Sequence, residues 1–130
     1  MASTIERDKM EIVNKTYYDG FEGEPEIQFI FREGDDTEIL IIWEGYFDQI
    51  MQLMTCNEQG WTGLAYCYHM CTGWYEESPW EIKDLQMALK QFEKVDSTAL
   101  CDEAVDILTL ICNRFSKAIN YNYEVFIVRE

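Results

Sequence analysis

Apolar and polar residues along this chain follow two different rhythms. Up to about residue 70 the apolar positions alternate or form short runs; from Leu85 onward they recur at three and four. The change predicts strands first and helices after. Residues 10–18 fit either a strand or a helix, and their β-branched and aromatic side chains favour a strand. Asp19 to Pro25 reads as a turn. Ile27, Phe29 and Phe31 then alternate with Gln28 and Arg32, the period of a strand, with Ile30 breaking the polar face. Glu33-Gly34-Asp35-Asp36 has the composition of a hairpin turn. Ile39 to Trp43 is almost wholly apolar, as expected of a central strand covered on both faces.

Glu44-Gly45 reads as another turn. Residues 46–56 fit either a strand or a helix, and the short turn before them favours a strand. Asn57-Glu58-Gln59-Gly60 is a further turn. Leu64 to Met70 reads as an extended aromatic segment, with Tyr66 and Tyr68 on one face and Cys67 and His69 on the other.

The helical period begins with Leu85, Ala88, Leu89, Phe92 and Val95. Two starts compete. Ser78-Pro79-Trp80-Glu81 has the form of a capping box with Pro at the first helical position. Asp84 is the alternative cap and the preferred one, leaving Trp80 to Ile82 extended. Lys90 and Lys94 stand toward the C-terminal end, where cations suit the helix dipole. A second helix, with Ser97 as cap and Asn120 as its end, carries the stripe Leu100, Ala104, Ile107, Leu108, Ile111, Phe115 and Ile119. Asp102, Glu103 and Asp106 sit early and Arg114 and Lys117 late, again matching the dipole. Val125 to Val128 is a closing strand able to pair back into the sheet. The expected fold is α+β: an antiparallel meander of about five strands with two helices on one face, residues 1–130 forming a single domain.

Charge narrows the choice of partner. The chain has 25 acidic and 10 basic residues, a formal net charge of −15. Ten of the acids fall between Glu33 and Ile82, where there is no Lys or Arg: Glu33, Asp35, Asp36, Glu38, Glu44, Asp48, Glu58, Glu76, Glu77 and Glu81. Trp43, Trp61, Trp74 and Trp80 lie in the same stretch. Gripping phosphate takes clustered Lys and Arg, so direct nucleic-acid binding is not expected, nor is docking on an anionic membrane. A cationic protein surface is the natural complement. The plainer alternative is an acidity that serves solubility alone.

Five cysteines, Cys56, Cys67, Cys71, Cys101 and Cys112, show no disulfide-framework spacing. The first nine residues lack the apolar core of a signal peptide, and no apolar run approaches the ~18 residues of a membrane span. A reduced, cytoplasmic protein is the expectation.

Candidate chemistry is thin. Cys67, His69 and Cys71 are zinc-ligand types, but on a strand their Cα atoms would be ~7 Å apart at each step, awkward for one ion. Small packed cysteines and a hydrogen-bonded histidine are the simpler reading, so no metal and no cofactor are expected. Glu76-Glu77 and Asp35-Asp36 are neighbours in turns, which suits a solvated face better than an acid–base pair. Gly34-Asp35-Asp36 lacks the D-x-D-x-D-G pattern of a calcium loop. His69 is the sole histidine, and neither a G-x-S-x-G nucleophile turn, an H-E-x-x-H metal motif nor a glycine-rich phosphate loop occurs. An anionic setting raises thiol pKa values and blunts cysteine nucleophiles. Enzymatic activity is not expected.

What remains is binding. Carboxylates beside aromatic rings can seat a partner's Arg through paired hydrogen bonds and cation–π contact. Trp74, Tyr75, Glu76, Glu77 and Trp80 form one such segment, and Glu44, Tyr46 and Asp48 a second. In size, charge and surface style, though in no motif, the chain resembles bacterial immunity proteins that neutralise nuclease toxins, and phage proteins that mimic nucleic acid. The resemblance implies an inhibitor of a basic toxin or nucleic-acid-binding enzyme and transfers no residue roles. Two other classes fit the sequence: a small-molecule or metal-binding domain using residues 64–70, and a subunit of a larger assembly.

Overall fold

The computed structural model describes residues 10–54 and 60–130. Residues 57–59 of the turn expected over 57–60, and Cys56, lie outside the described residues, as does the N-terminal nonapeptide. The described residues include five strands: β1 (Glu11–Tyr17), β2 (Glu26–Glu33), β3 (Asp36–Trp43), β4 (Trp80–Glu81) and β5 (Glu124–Arg129). They also include four α-helices: α1 (Glu44–Gln52), α2 (Gly63–Met70), α3 (Leu85–Glu93) and α4 (Asp102–Tyr121).

The fold is α+β, but the sheet is mixed and not a pure meander. Its order is β1-β3-β2-β5-β4, and β1 runs parallel to β3 while the other pairings are antiparallel. The hairpin between β2 and β3 is as expected. Glu33 pairs with Asp36 around a two-residue turn, and Gly34 takes the positive φ of 58° that such turns require. The chain from β1 then skips a place, so β2 and not β3 is the middle strand. Residues 39–43 are therefore not covered on both faces: Leu40 and Ile42 are buried on one side, while Ile39 and Ile41 are half-buried on the other.

Two segments expected as strands are helices. In α1 the buried residues Phe47, Ile50 and Met51 stand at i, i+3 and i+4, one helical face, and Met54 just past its end is buried too. The aromatic and β-branched content of 46–56 masked that period. In α2, Leu64, Ala65 and Cys67 are buried and Tyr68 packs on the core. Six apolar or aromatic residues among eight leave no period to read, and packing onto α3 decides the conformation.

The later elements follow the pattern more closely. Asp84 is the cap of α3, its Oδ1 accepting from the Met87 N–H at 3.0 Å, and Trp80–Glu81 is extended. Ser97 starts a separate 3₁₀ turn capped by Asp96, and α4 begins at Asp102. The helix passes Asn120, ends at Tyr121 and is capped by Asn122, whose φ of 58° is left-handed.

All four helices lie on one face of the sheet. Their buried side chains form a single core with Ile27, Phe29 and Phe31 of β2, Leu40 and Ile42 of β3, and Val125 and Ile127 of β5. Phe29 sits at its centre, within ring-contact distance of Phe47, Phe92 and Phe115. No described helix is long and apolar enough to cross a membrane.

Candidate partner-binding site

The two segments expected to bind a partner meet in space. β3 ends in Trp43 and leads straight into α1, which brings Glu44, Tyr46 and Asp48 to the start of β2 and the end of β5. The loop from the 3₁₀ turn Gly73–Tyr75 to β4 arrives at the same end, because β4 pairs with β5.

What joins them is Arg129, the last residue of β5. Its guanidinium makes a two-point ion pair with the Glu44 carboxylate and lies 5.2 Å from the Tyr75 ring centroid. Its backbone N–H donates to Ser78 Oγ at 3.4 Å. Glu44 is thus already occupied by a cation of its own chain and is not an open seat for a partner's Arg. Asp48 is also engaged, accepting from the Tyr68 hydroxyl at 2.9 Å. Tyr46 stands edge-on to Phe21 and Trp43, which stack at 4.2 Å. The Trp43 ring fills the place of a Cβ on residue 45, which only Gly45 allows. Glu44, Tyr46 and Asp48 therefore belong to an internal brace more than to a free surface.

Burial raises the Asp48 carboxyl above its usual range and Glu44 adds to it; the Tyr68 hydrogen bond and Arg129 act against the shift. Burial and the nearby Asp48 and Glu44 push the Tyr75 hydroxyl up to about 12. The Asp48 shift has a definite sign in stability. The unfolded chain loses the Asp48 proton near its ordinary value of about 3.9, and the folded chain holds it to higher pH. The stabilisation that Asp48 gives is full below the unfolded value and is lost as pH rises through the folded one. Asp48→Asn keeps an oxygen for Tyr68 and removes that loss. Urea midpoints should be nearly equal at about pH 3 and should favour the variant increasingly from about pH 4 upward. A gap that does not change with pH would refute this account of Asp48.

The loop residues divide differently from expectation. Trp74 is 2% exposed and packs against Phe47 and Trp80, so it belongs to the core and offers no surface contact. Tyr75 and Trp80 are half-buried; Glu76 and Glu77 are exposed. Beside them a groove of about 500 Å³ runs along β4. Pro79, Trp80 and Phe126 supply its apolar surface, and Glu77, Glu81 and Asp84 its carboxylates, with Lys83 the single cation of the lining. Glu81, Asp84 and Phe126 were not anticipated as site residues. Glu81 closes the cation-free run, but nothing local signals that β4 would pair with β5 and bring Phe126 alongside.

Cys67, His69 and Cys71 stand on α2 and at its end, not on a strand. Cys67 is buried beneath Gly73, His69 stacks on Trp61 at 3.8 Å, and Cys71 is exposed in a left-handed cap. Among the described residues no three His, Cys, Asp or Glu side chains converge as metal ligands. The Nε2 of His69 and the Nε1 of Trp74 are buried with no hydrogen-bond partner.

No protein-family model matches the chain, and neither a curated protein nor a solved structure is significantly similar to it.

Proposed function

We propose that this chain is a non-enzymatic acidic binding protein that inhibits or neutralises a basic partner, such as a nuclease-type toxin or another enzyme with a cationic cleft. The observation that supports it most is the β4 groove, with aromatic walls and three carboxylates against one Lys, next to exposed Glu76 and Glu77. An Arg or Lys side chain is apolar along its stem and cationic at its head, which is the chemistry such a groove complements. The net charge of −15 supplies the long-range attraction. The groups with perturbed titration at the brace support a structural role, since Asp48 and Tyr68 are tied to each other and Glu44 to Arg129.

The test is kinetic. A partner recovered by affinity capture should be basic, and its association rate constant should fall steeply between 0.1 M and 1 M salt. Screening contracts from ~10 Å to ~3 Å over that range and steering fades with it. A rate constant that stays flat would show that charge plays no part in recognition.

A further inference from the structure

The sheet has a second face, and among the described residues no helix covers it. Strand register assigns six apolar residues to it. Ile30 pairs with Ile39 and with Phe126, Val13 pairs with Ile39, and Ile41 and Val128 both pair with Gln28. Val128 is buried, at 9% exposed, and the other five neither belong to the helix-covered core nor pack against it. Val13 is 46% exposed, and Ile30, Ile39, Ile41 and Phe126 are half-buried. A strand with one face in water is expected to alternate apolar with polar residues. Here the middle of the open face is β-branched and aromatic. A contiguous apolar patch with a polar rim marks an interaction site.

The rim tells which partner fits. Glu11, Glu26, Glu81, Glu124 and Glu130 stand around the patch. The Gln28 amide donates to Glu26 Oε2 at 2.7 Å and reaches Glu130 Oε2 at 3.5 Å, so two carboxylates converge beside Ile41 and Val128. Neither is ion-paired with a described residue. Arg32 is already engaged, 4.8 Å over the Phe126 ring and 4.0 Å from Glu124.

We propose that this open sheet face is the main docking surface for the basic partner. The partner would lay an apolar surface over the Ile30-Ile39-Phe126 row and reach the rim carboxylates with Arg or Lys. The inference rests on the reading of the chain as an acidic binding protein and adds the surface that does the binding. Charge complementarity selects the occupant. A second copy of this chain would set one acidic rim against another, which disfavours association. The face is also continuous with the β4 groove: Phe126 pairs with Glu81 in the sheet and lines the groove.

The test uses the full chain, isotope-labelled for NMR, and a synthetic amphipathic peptide of Leu and Arg as probe. Chemical-shift changes should centre on Ile30, Ile39, Ile41 and Phe126. Ile39→Thr with Phe126→Thr, which places a strand-favouring β-branched residue at both positions, should raise the dissociation constant at least tenfold. Glu26→Gln with Glu130→Gln leaves the apolar packing untouched and should also weaken binding. The same peptide with Glu in place of Arg should not bind. Shifts confined to residues 77–84, with both double variants binding as wild type does, would overturn this inference and leave the broader reading standing. A dimer in sedimentation that the Thr variant dissolves would overturn it in favour of a second copy. Failure of the Leu/Arg peptide to bind at all would overturn both readings.

Discussion

Phe115→Ala should destabilise the protein by about 3–5 kcal/mol. The ring is fully buried and edge-on to Phe29, Phe31 and Phe92, at 5.8, 5.9 and 5.5 Å between centroids. It links α4 to the middle strand and to α3 at once. Truncation removes its transfer free energy and leaves a cavity whose walls belong to three elements, so collapse is hindered. Domains of this size are stable by only about 5–15 kcal/mol, so the loss would be a large share of the total. Asp102→Ala on the same helix is the contrast. Asp102 is exposed in the first turn and interacts chiefly with the helix dipole, worth about 0.3–1 kcal/mol. Denaturant midpoints of the two variants measure the difference. Similar losses would mean that α4 does not face the sheet as described.

α4 could be read from sequence because its apolar stripe repeats over 20 residues with Asp102 and Glu103 in the first turn, although Arg114 and Lys117 fall short of the last turn, which holds no cation. The β2–β3 hairpin could be read because Gly34 and Asp35 are turn chemistry between apolar runs. α1 and α2 could not. Tyr46, Phe47 and Ile50 are residues that strands favour, and in α2 polar positions are too few to show a period. Sheet order is less local still. The parallel pairing of β1 with β3 depends on which edge of the β2–β3 hairpin the earlier strand finds, and no residue near position 14 encodes it.

The candidate site was partly legible for the same reason. The acid-and-aromatic composition of residues 44–48 and 74–80 does converge at one end of the sheet. Composition could not reveal that Arg129 returns through β5 to fill the Glu44 seat, nor that Trp74 turns inward while its neighbours Glu76 and Glu77 stay in water. The open sheet face was hidden altogether. Ile39 and Ile41 look like the interior of a covered strand until the helices are all found on the other side.

Reversing the loop charges, Glu76→Lys with Glu77→Lys, should lower affinity for the proposed basic partner more than tenfold, about 1.4 kcal/mol or more. Both side chains are exposed, and neither forms an ion pair with a described residue. Their replacement breaks nothing in the fold, and the melting temperature should hardly move, since exposed charges contribute little to stability. The groove feels the change directly. Its lining carries three carboxylates and one Lys, a balance of −2; with Lys at 77 it carries two of each, a balance of zero. Glu76, just outside, would then present a cation to an approaching cation. Glu44 cannot compensate, because Arg129 holds it. The drop should fall mainly on the association rate if the loop steers the approach, and on dissociation if Glu77 is desolvated against a partner Arg. Stopped-flow and equilibrium measurements on one preparation separate the two. A double variant that folds and binds as wild type does would show the loop to be a solvated turn, and would leave the open sheet face as the surface to test.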